Sequence, residues 1–227
     1  MRMFLRAAIV ALTLTALAIT GPAVAAQDAE HILILGSSTT ACAGDLDTPD
    51  HCYINLFKAA HPEDTFTILG RGGTYIAYGT DPAKNWTTTP IPSGHQRVII
   101  QLGINDWYVP VPPAQLRRDI DQLVIRVKTA NPGAKIAWVR TWMPSQGDTS
   151  DTRKAMWAMH GQYTADAMYY ARSATAVGGA SPVADFLDMG TSPGPRRSSV
   201  ASDNGWHYND RGHAEIAEVV NRWIDQT

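Results

Sequence analysis

A small set of residues in this sequence could together cleave an ester. In chain order they are the hydroxyl of Ser38, the backbone N–H groups of Gly72 and Gly73, the carboxamide of Asn105 and the imidazole of His207. Acyl transfer needs such a combination: a nucleophile, a base that accepts its proton, and donors that stabilise an oxyanion. Because these residues lie far apart along the chain, the fold has to bring them together.

Predicted strands place three of these features at one edge of a sheet. The apolar run 31–35 ends just before Ser38, a strand predicted over 65–69 ends at a glycine-rich turn, and a strand predicted over 97–102 ends just before Asn105. In an open parallel sheet, chemistry collects beyond the carboxyl ends of the strands. His207 comes from elsewhere in the chain, immediately before a predicted C-terminal helix.

Strands and helices alternate along the chain. Hydrophobic periodicity predicts further strands over 135–141 and 182–187, and helices that begin near Tyr53 and extend over 113–130, 152–171 and 209–225. Such alternation requires a parallel sheet that helices cover on both faces. The sequence therefore predicts an α/β fold with five parallel strands in a three-layer α/β/α arrangement, as one domain over residues 27–227.

Residues 1–26 have the pattern of a signal peptide. Arg2 and Arg6 precede an uncharged apolar run, and Gly21-Pro22 then leads into small residues typical of a cleavage site. The apolar run is short for a membrane span. We therefore expect cleavage near Ala26, secretion, and no membrane span in the mature chain. An uncleaved N-terminal anchor is the alternative.

Export makes the two cysteines, Cys42 and Cys52, informative. In an oxidising compartment, a disulfide that closes the short loop after Ser38 is the simpler interpretation. Two free thiols are the alternative. A bridge would restrain the segment that directly follows the candidate nucleophile.

Net charge and the absence of certain motifs argue against several classes of ligand and partner. The chain has 19 Lys and Arg against 21 Asp and Glu, a formal net charge of -2, which argues against a nucleic-acid-binding protein. The glycine-rich turn does not match the dinucleotide fingerprint, and the histidines lack paired metal-ligand spacing. We therefore predict no cofactor and no metal, and we expect a monomer.

Several short motifs resemble those of the SGNH (GDSL-type) hydrolase family. They are Gly36-Ser37-Ser38-Thr39, the glycines after the second strand, Gly103-Ile104-Asn105-Asp106, and His207 before the last helix. Their order and spacing agree with the family over most of the chain after residue 26. The resemblance implies a flavodoxin-like SGNH hydrolase fold, Ser38 as nucleophile and His207 as base. It also implies an oxyanion site made by the Ser38 N–H, the Asn105 amide and a glycine N–H, with Gly73 preferred over Gly72.

Two positions depart from the family pattern. Ser37 stands where the family usually has Asp, which implies altered hydrogen bonding in the turn rather than lost activity. Asn204, three residues before His207, stands where the family has the Asp that orients the histidine, and Asp203 lies one residue further back. We prefer Asp203 for this role and keep Asn204 as the alternative, since an amide fixes a tautomer but stabilises an imidazolium less.

Two long segments, 75–93 and 188–205, are predicted to be surface loops. Trp86, Trp107, Trp142 and Trp206 all fall at or beyond predicted strand ends. They could form an aromatic surface that stacks on a sugar or an acyl chain, or they could simply pack beneath loops. The sequence leaves these two interpretations open.

These observations together predict a secreted serine ester hydrolase that works through an acyl-enzyme without a cofactor. Its expected substrate is a small-molecule or carbohydrate ester with an acetyl or other short acyl group. A non-catalytic glycan-binding protein on the same fold is one alternative. A lipase or an acyltransferase that uses the same site is another.

Overall fold

The computed structural model describes residues 28–77, 81–109, 111–141, 185–189 and 207–227. The strands are β1 (His31–Gly36), β2 (Gly44–Asp45), β3 (Thr65–Gly70), β4 (Arg97–Gln101), β5 (Lys135–Arg140), β6 (Asp185–Asp188) and β7 (Tyr208–Asn209). The helices are α1 (Tyr53–Ala60), α2 (Ile104–Tyr108), α3 (Pro113–Ala130) and α4 (Asp210–Gln226), with 3₁₀ turns at Pro49–His51 and Pro82–Lys84. The predicted signal peptide and the helix predicted over 152–171 lie outside the described residues.

The main sheet contains β3, β1, β4, β5 and β6 in that spatial order. Every neighbouring pair in it is parallel. Gly36 at the end of β1 pairs with Gly70 of β3 on one side and with Gln101 of β4 on the other. The three segments that follow these strands therefore leave the sheet side by side, and the predicted parallel α/β class is confirmed.

Both faces of the sheet are buried, as the apolar strands require. Along β1, Ile32 and Ile34 pack in the cluster that contains α1 and α4 side chains, whereas Leu33 and Leu35 pack in the cluster that contains α3 side chains. All four are fully buried, and burying each contributes roughly 1.5–3 kcal/mol. This alternation with a period of two residues gives the predicted three layers.

The helix limits follow from local signals. α3 spans Pro113–Ala130, and α4 begins after Asn209, whose side chain accepts a hydrogen bond from the Gly212 N–H at 3.1 Å. Asparagine is a preferred N-cap because its side-chain oxygen satisfies an amide of the first turn. Among the described residues, none of the helices combines the length and apolar character that a membrane span requires.

The prediction that 75–93 is a surface loop throughout was wrong. Ile76 and Trp86 are 0% and 1% exposed, and both belong to the core cluster on the α3 side of the sheet. The backbone N–H of Trp86 donates to Tyr75, and the Arg71 guanidinium lies 5.2 Å from the centre of the Trp86 ring. Two isolated apolar residues among Pro, Gly and Thr give no periodic signal, although each is anchored in the core. Trp86 therefore packs beneath the loop and is not part of an exposed aromatic surface. Trp142 and Trp206 lie outside the described residues.

Candidate active site

Backbone hydrogen bonds hold the three strand ends together. The N–H of Ser37, after β1, donates to the Gln101 carbonyl of β4 at 3.3 Å. The N–H of Arg71, after β3, donates to the Gly36 carbonyl at 3.1 Å. The segments that carry Ser38, the glycine turn and Asn105 thus start from adjacent points on the sheet edge, as the sequence predicts.

The turn that carries Ser38 is fixed by backbone and side-chain bonds. The Ala43 N–H donates to the Ser38 carbonyl at 2.9 Å. The buried hydroxyl of Thr40 donates to Gln101 Oε1 at 3.2 Å and lies 2.7 Å from the Tyr53 hydroxyl. Because Thr40 has one hydroxyl proton, the Tyr53 O–H must be the donor to Thr40. The turn is therefore tied to both β4 and α1.

Ser38 and His207 meet although 169 positions separate them in sequence. The Nε2 atom of His207 lies 3.1 Å from the Oγ atom of Ser38, and both residues are partly exposed. This distance allows the serine hydroxyl to donate to an unprotonated Nε2, the geometry that general-base activation of a nucleophile requires.

The surroundings of His207 favour the neutral ring. Partial burial lowers the pKa of His207, and the carboxylate of Asp45 acts in the opposite direction. A neutral imidazole can accept the serine proton near neutral pH, and a nearby carboxylate favours the imidazolium that then forms.

The glycine turn is open to a ligand. Gly72 and Gly73 are exposed, and a Cβ atom added at either position would meet no other atom within 4 Å. Gly73 has φ +69°, in the left-handed region that a side chain disfavours. The backbone N–H groups of this turn can therefore be approached closely.

Asn105 is joined to the glycine turn. Its Nδ2 atom donates to the Thr74 carbonyl at 2.7 Å, and the Thr74 hydroxyl donates to the Arg71 carbonyl at 2.9 Å. This contact uses one amide hydrogen, and a carboxamide carries two. The amide is thus oriented by the turn and retains donor capacity for a ligand.

Asp106 holds the segment that directly follows the glycine turn. Both carboxylate oxygens accept from the Ile76 N–H, at 3.0 and 3.1 Å, and the residue is buried. Burial raises the pKa of Asp106 to about 7, the backbone N–H groups of Ile76 and of Asp106 itself oppose this, and the charge of Asp119 adds to it. Adjacent residues of α2 therefore hold the turn at Thr74 and at Ile76.

We compared the chain with models of known protein families. The model of the GDSL-like Lipase/Acylhydrolase family matches residues 34–215. The chain belongs to this family. Comparison with curated protein sequences found no match.

Solved structures share the fold at low sequence identity. A protein from Lactobacillus plantarum is 18% identical, with a TM-score of 0.65 over 88% of this chain and 98% of its own. A family two carbohydrate esterase from Clostridium thermocellum, in complex with cellohexaose, is 16% identical, with a TM-score of 0.64 over 87% and 64%. A two-domain esterase active on acetylated mannans is 20% identical, with a TM-score of 0.54 over 87% and 49%, so this chain spans about half of it.

One departure from the GDSL family pattern has a visible structural result. Ser37, where the family usually has Asp, is fully buried, and within the described residues its hydroxyl has no hydrogen-bond partner. The turn is held by backbone atoms and by Thr40 instead. Asp203 and Asn204, the two candidates for orienting His207, lie outside the described residues, so the preference for Asp203 stays a prediction.

The predicted disulfide is confirmed. Cys42 and Cys52 are bridged, with their Cα atoms 5.3 Å apart. The loop they close contains β2, which pairs in parallel with β7 directly after His207. Sequence patterns did not predict this pairing, because strands of two residues carry no periodic signal.

The other supporting residues were also missed. Thr40, Tyr53 and Gln101 act through one buried hydrogen-bond chain, and Asp106 and Thr74 act on the glycine turn. A polar Gln101 at the end of an apolar strand, and an acid in the Gly-Ile-Asn-Asp motif, were the available signals.

Among the residues that the structure describes, two groups of side chains bring metal-ligand atoms within 4.8 Å of one another: Asp47, His51 and Asp210, and His61, Glu63 and Asp64. In the first group, His51 Nδ1 is 2.7 Å from Asp210 Oδ2, and the Asp47 N–H donates to Asp210 at 3.1 Å. These contacts satisfy the carboxylate without an ion.

Proposed function

We propose that this chain is a carboxylic ester hydrolase in which Ser38 is the nucleophile and His207 is the base. The observation that carries the proposal is the 3.1 Å contact between Ser38 Oγ and His207 Nε2. Oγ attacks the ester carbonyl carbon while its proton passes to Nε2. The tetrahedral intermediate collapses, and the leaving alcohol takes that proton. Water, deprotonated by His207, then attacks the acyl-enzyme, which releases the acid and returns a proton to Ser38.

The oxyanion in this mechanism is stabilised by three donors: the Ser38 N–H, the Asn105 amide and a glycine N–H. The exposed turn and the orientation of Asn105 by Thr74 support this assignment. Gly73 is our first choice, and its φ of +69° lies in the left-handed region that favours glycine. Loss of one such donor typically lowers kcat by about 10²–10³-fold.

An acid or amide before His207 completes the proposed site. Asp203 is preferred and Asn204 is the alternative. Separate Asp203→Ala and Asn204→Ala variants, assayed on one activated ester, distinguish them. A near-wild-type rate for Asp203→Ala would assign the role to Asn204.

The proposed substrates are acetyl or other short acyl esters, including those on carbohydrate. The partial exposure of Ser38 and the open glycine turn favour a bulky alcohol group at the surface. Two of the similar structures are a carbohydrate esterase and an esterase active on acetylated mannans. A chain-length series of p-nitrophenyl esters beside acetylated polysaccharides tests this class directly.

The decisive experiment compares Ser38→Ala with Ser93→Ala, which removes an exposed hydroxyl from a loop between β3 and β4. We expect Ser38→Ala to abolish hydrolysis of p-nitrophenyl acetate and Ser93→Ala to retain it. Equal activity in both variants would refute the mechanism. Polysaccharide binding without Ser38-dependent hydrolysis would indicate the glycan-binding alternative, and transfer of acyl groups to an added sugar would indicate an acyltransferase.

We also propose that the chain is secreted after cleavage of residues 1–26. The disulfide supports export, because such bridges form in oxidising compartments. The N-terminal sequence of the protein recovered from the medium of its host tests this. Recovery of full-length chain in the membrane fraction would support an uncleaved anchor instead.

A further inference from the structure

The segment 42–52, closed by the disulfide, contacts both the turn that carries Ser38 and the strand that follows His207. At its start, the Ala43 N–H donates to the Ser38 carbonyl at 2.9 Å. One residue later, β2 begins and pairs in parallel with β7, with Gly44 opposite Tyr208. His207 immediately precedes Tyr208. The segment thus contacts the Ser38 backbone on one side and the residue after His207 on the other.

Gly44 makes the closest of these approaches. A Cβ atom added to it would lie 2.1 Å from the carbonyl oxygen of Tyr208 and 3.4 Å from Nε2 of His213. Its φ of +156° also falls in the range that residues with side chains rarely adopt. A side chain at this position must therefore push β7 away from β2.

Further contacts fix the rest of the segment to the start of α4. The side chain of His51 pairs with Asp210, and the Asp47 N–H donates to the same carboxylate. The disulfide joins the two ends of the segment. The two contacts with Asp210 connect this segment to the helix that follows His207, and the disulfide closes the segment on itself.

His213 anchors the end of the segment. Its Nδ1 atom accepts from the Tyr53 N–H at 3.1 Å, and its ring is fully buried. Burial lowers the pKa of His213 to about 4, so the ring is neutral and Nδ1 is free to accept. The bond supplies the first turn of α1 with an acceptor, since Cys52 at the N-cap provides no side-chain cap.

We propose that the disulfide-closed segment 42–52 positions His207 against Ser38, and that Gly44 is the positioning residue within it. The expected loss of kcat rests on the proposed hydrolase function, whereas the expected movement of His207 away from Ser38 does not. His207 lies 169 positions after Ser38 in sequence, and the strand that directly follows it, β7, pairs with β2. Without close approach at Gly44, the imidazole moves away from the serine.

The test compares Gly44→Ala with Gly94→Ala. Gly94 also has a positive φ, +86°, but its added Cβ meets nothing within 4 Å. It lies two residues before Gln96, whose N–H bonds the His31 carbonyl, so it is at the opposite edge of the sheet from Ser38. A displacement of about 1 Å can lower a rate by about 100-fold. We expect such a loss of kcat in Gly44→Ala, with KM changed by less than about threefold, and wild-type kinetics in Gly94→Ala.

A second readout does not depend on turnover. The ring resonances of His207, observed by ¹H–¹⁵N NMR and assigned with Ser38→Ala, report the contact between Nε2 and Oγ. We expect Gly44→Ala to move these resonances toward their positions in Ser38→Ala while circular dichroism shows a retained fold. If the wild type hydrolyses no ester, the proposed function fails and the resonances alone decide the positioning proposal.

Folded Gly44→Ala with wild-type kcat and wild-type His207 resonances would overturn the proposal. Should Gly44→Ala fail to fold, the double variant Cys42→Ala/Cys52→Ala takes its place, because it releases the segment without introducing a clash. We expect the double variant to lose kcat and shift the His207 resonances in the same direction. Unchanged values in it would likewise overturn the proposal.

Discussion

Replacing Asp106 by asparagine should change how stability depends on pH. Burial raises the pKa of Asp106 from its ordinary value of 3.8 to about 7, with the opposing Ile76 N–H and the charge of Asp119 as smaller influences. Between these pH values the native protein holds a proton that the unfolded chain has lost. The stability contributed by this group is therefore complete below about pH 4 and disappears as the pH rises through about 7.

The size of the effect follows from these two pKa values. In the intermediate range, the free energy of unfolding falls by about 1.4 kcal/mol per pH unit because of this one carboxyl group. From about pH 5 to about pH 8 the loss amounts to about 2.5 kcal/mol. Asp106→Asn cannot titrate, and its Oδ1 can still accept from the Ile76 N–H. Its stability relative to the wild type should therefore rise by this amount over the same range.

Urea unfolding of both proteins at a series of pH values measures the difference, because the titration of groups that do not interact with Asp106 cancels. Asp225→Asn is the matched control: it removes a carboxylate from the exposed end of α4. We expect no comparable trend for that variant. Wild-type and Asp106→Asn curves that stay parallel between about pH 5 and about pH 8 would refute the inference that burial keeps this carboxyl group protonated.

Further variants test individual parts of the site. Gly73→Ala should destabilise the chain by about 1 kcal/mol and lower kcat, whereas Gly72→Ala should do neither; equal effects in urea unfolding and ester assays would reject the choice of Gly73. Asp45→Asn should lower the pKa of His207 and move the acid limb of the kcat/KM profile to lower pH, because the Asp45 carboxylate favours the protonated ring; a movement to higher pH would contradict this electrostatic role. Ser37→Ala removes a buried hydroxyl that has no hydrogen-bond partner among the described residues, so thermal unfolding should show stability unchanged or raised by about 1 kcal/mol, with kcat preserved; a large loss of activity would show that the hydroxyl has a partner in the reaction.

Much of the fold could be predicted because its signals are local. β1 is an apolar run flanked by turn residues, α3 has a clear apolar stripe, and Asn209 is an effective N-cap. Once the strands are parallel, the positions of Ser38 and Asn105 at one sheet edge follow from topology alone. The same logic located the glycine turn, because it begins directly after the strand beside β1.

The parts that were missed depend on contacts between distant residues. The Gly-Ile-Asn-Asp motif draws attention to Asp106, but it does not identify Ile76, 30 residues earlier, as the partner of its carboxylate. The pairing of β2 with β7 joins two strands of two residues each, too short for any pattern. Trp86 enters the core from a Pro- and Thr-rich stretch, where composition predicts exposure. In each case the free energy comes from tertiary packing, which overrides local preference.

The residues of the proposed site are therefore positioned in two ways, which should differ in their sensitivity to heating. Ser38, the glycine turn and Asn105 extend from adjacent strands of one sheet, so their spacing is set by backbone hydrogen bonds between those strands. His207 directly precedes β7, which pairs with β2, and in our proposal this pairing and the disulfide position it. Local unfolding begins in segments with little burial, and in β2 Gly44 is only partly buried and Asp45 is exposed. Heating short of global unfolding should then separate His207 from Ser38 while the strand-end donors stay in place, and activity should be lost before the sheet melts.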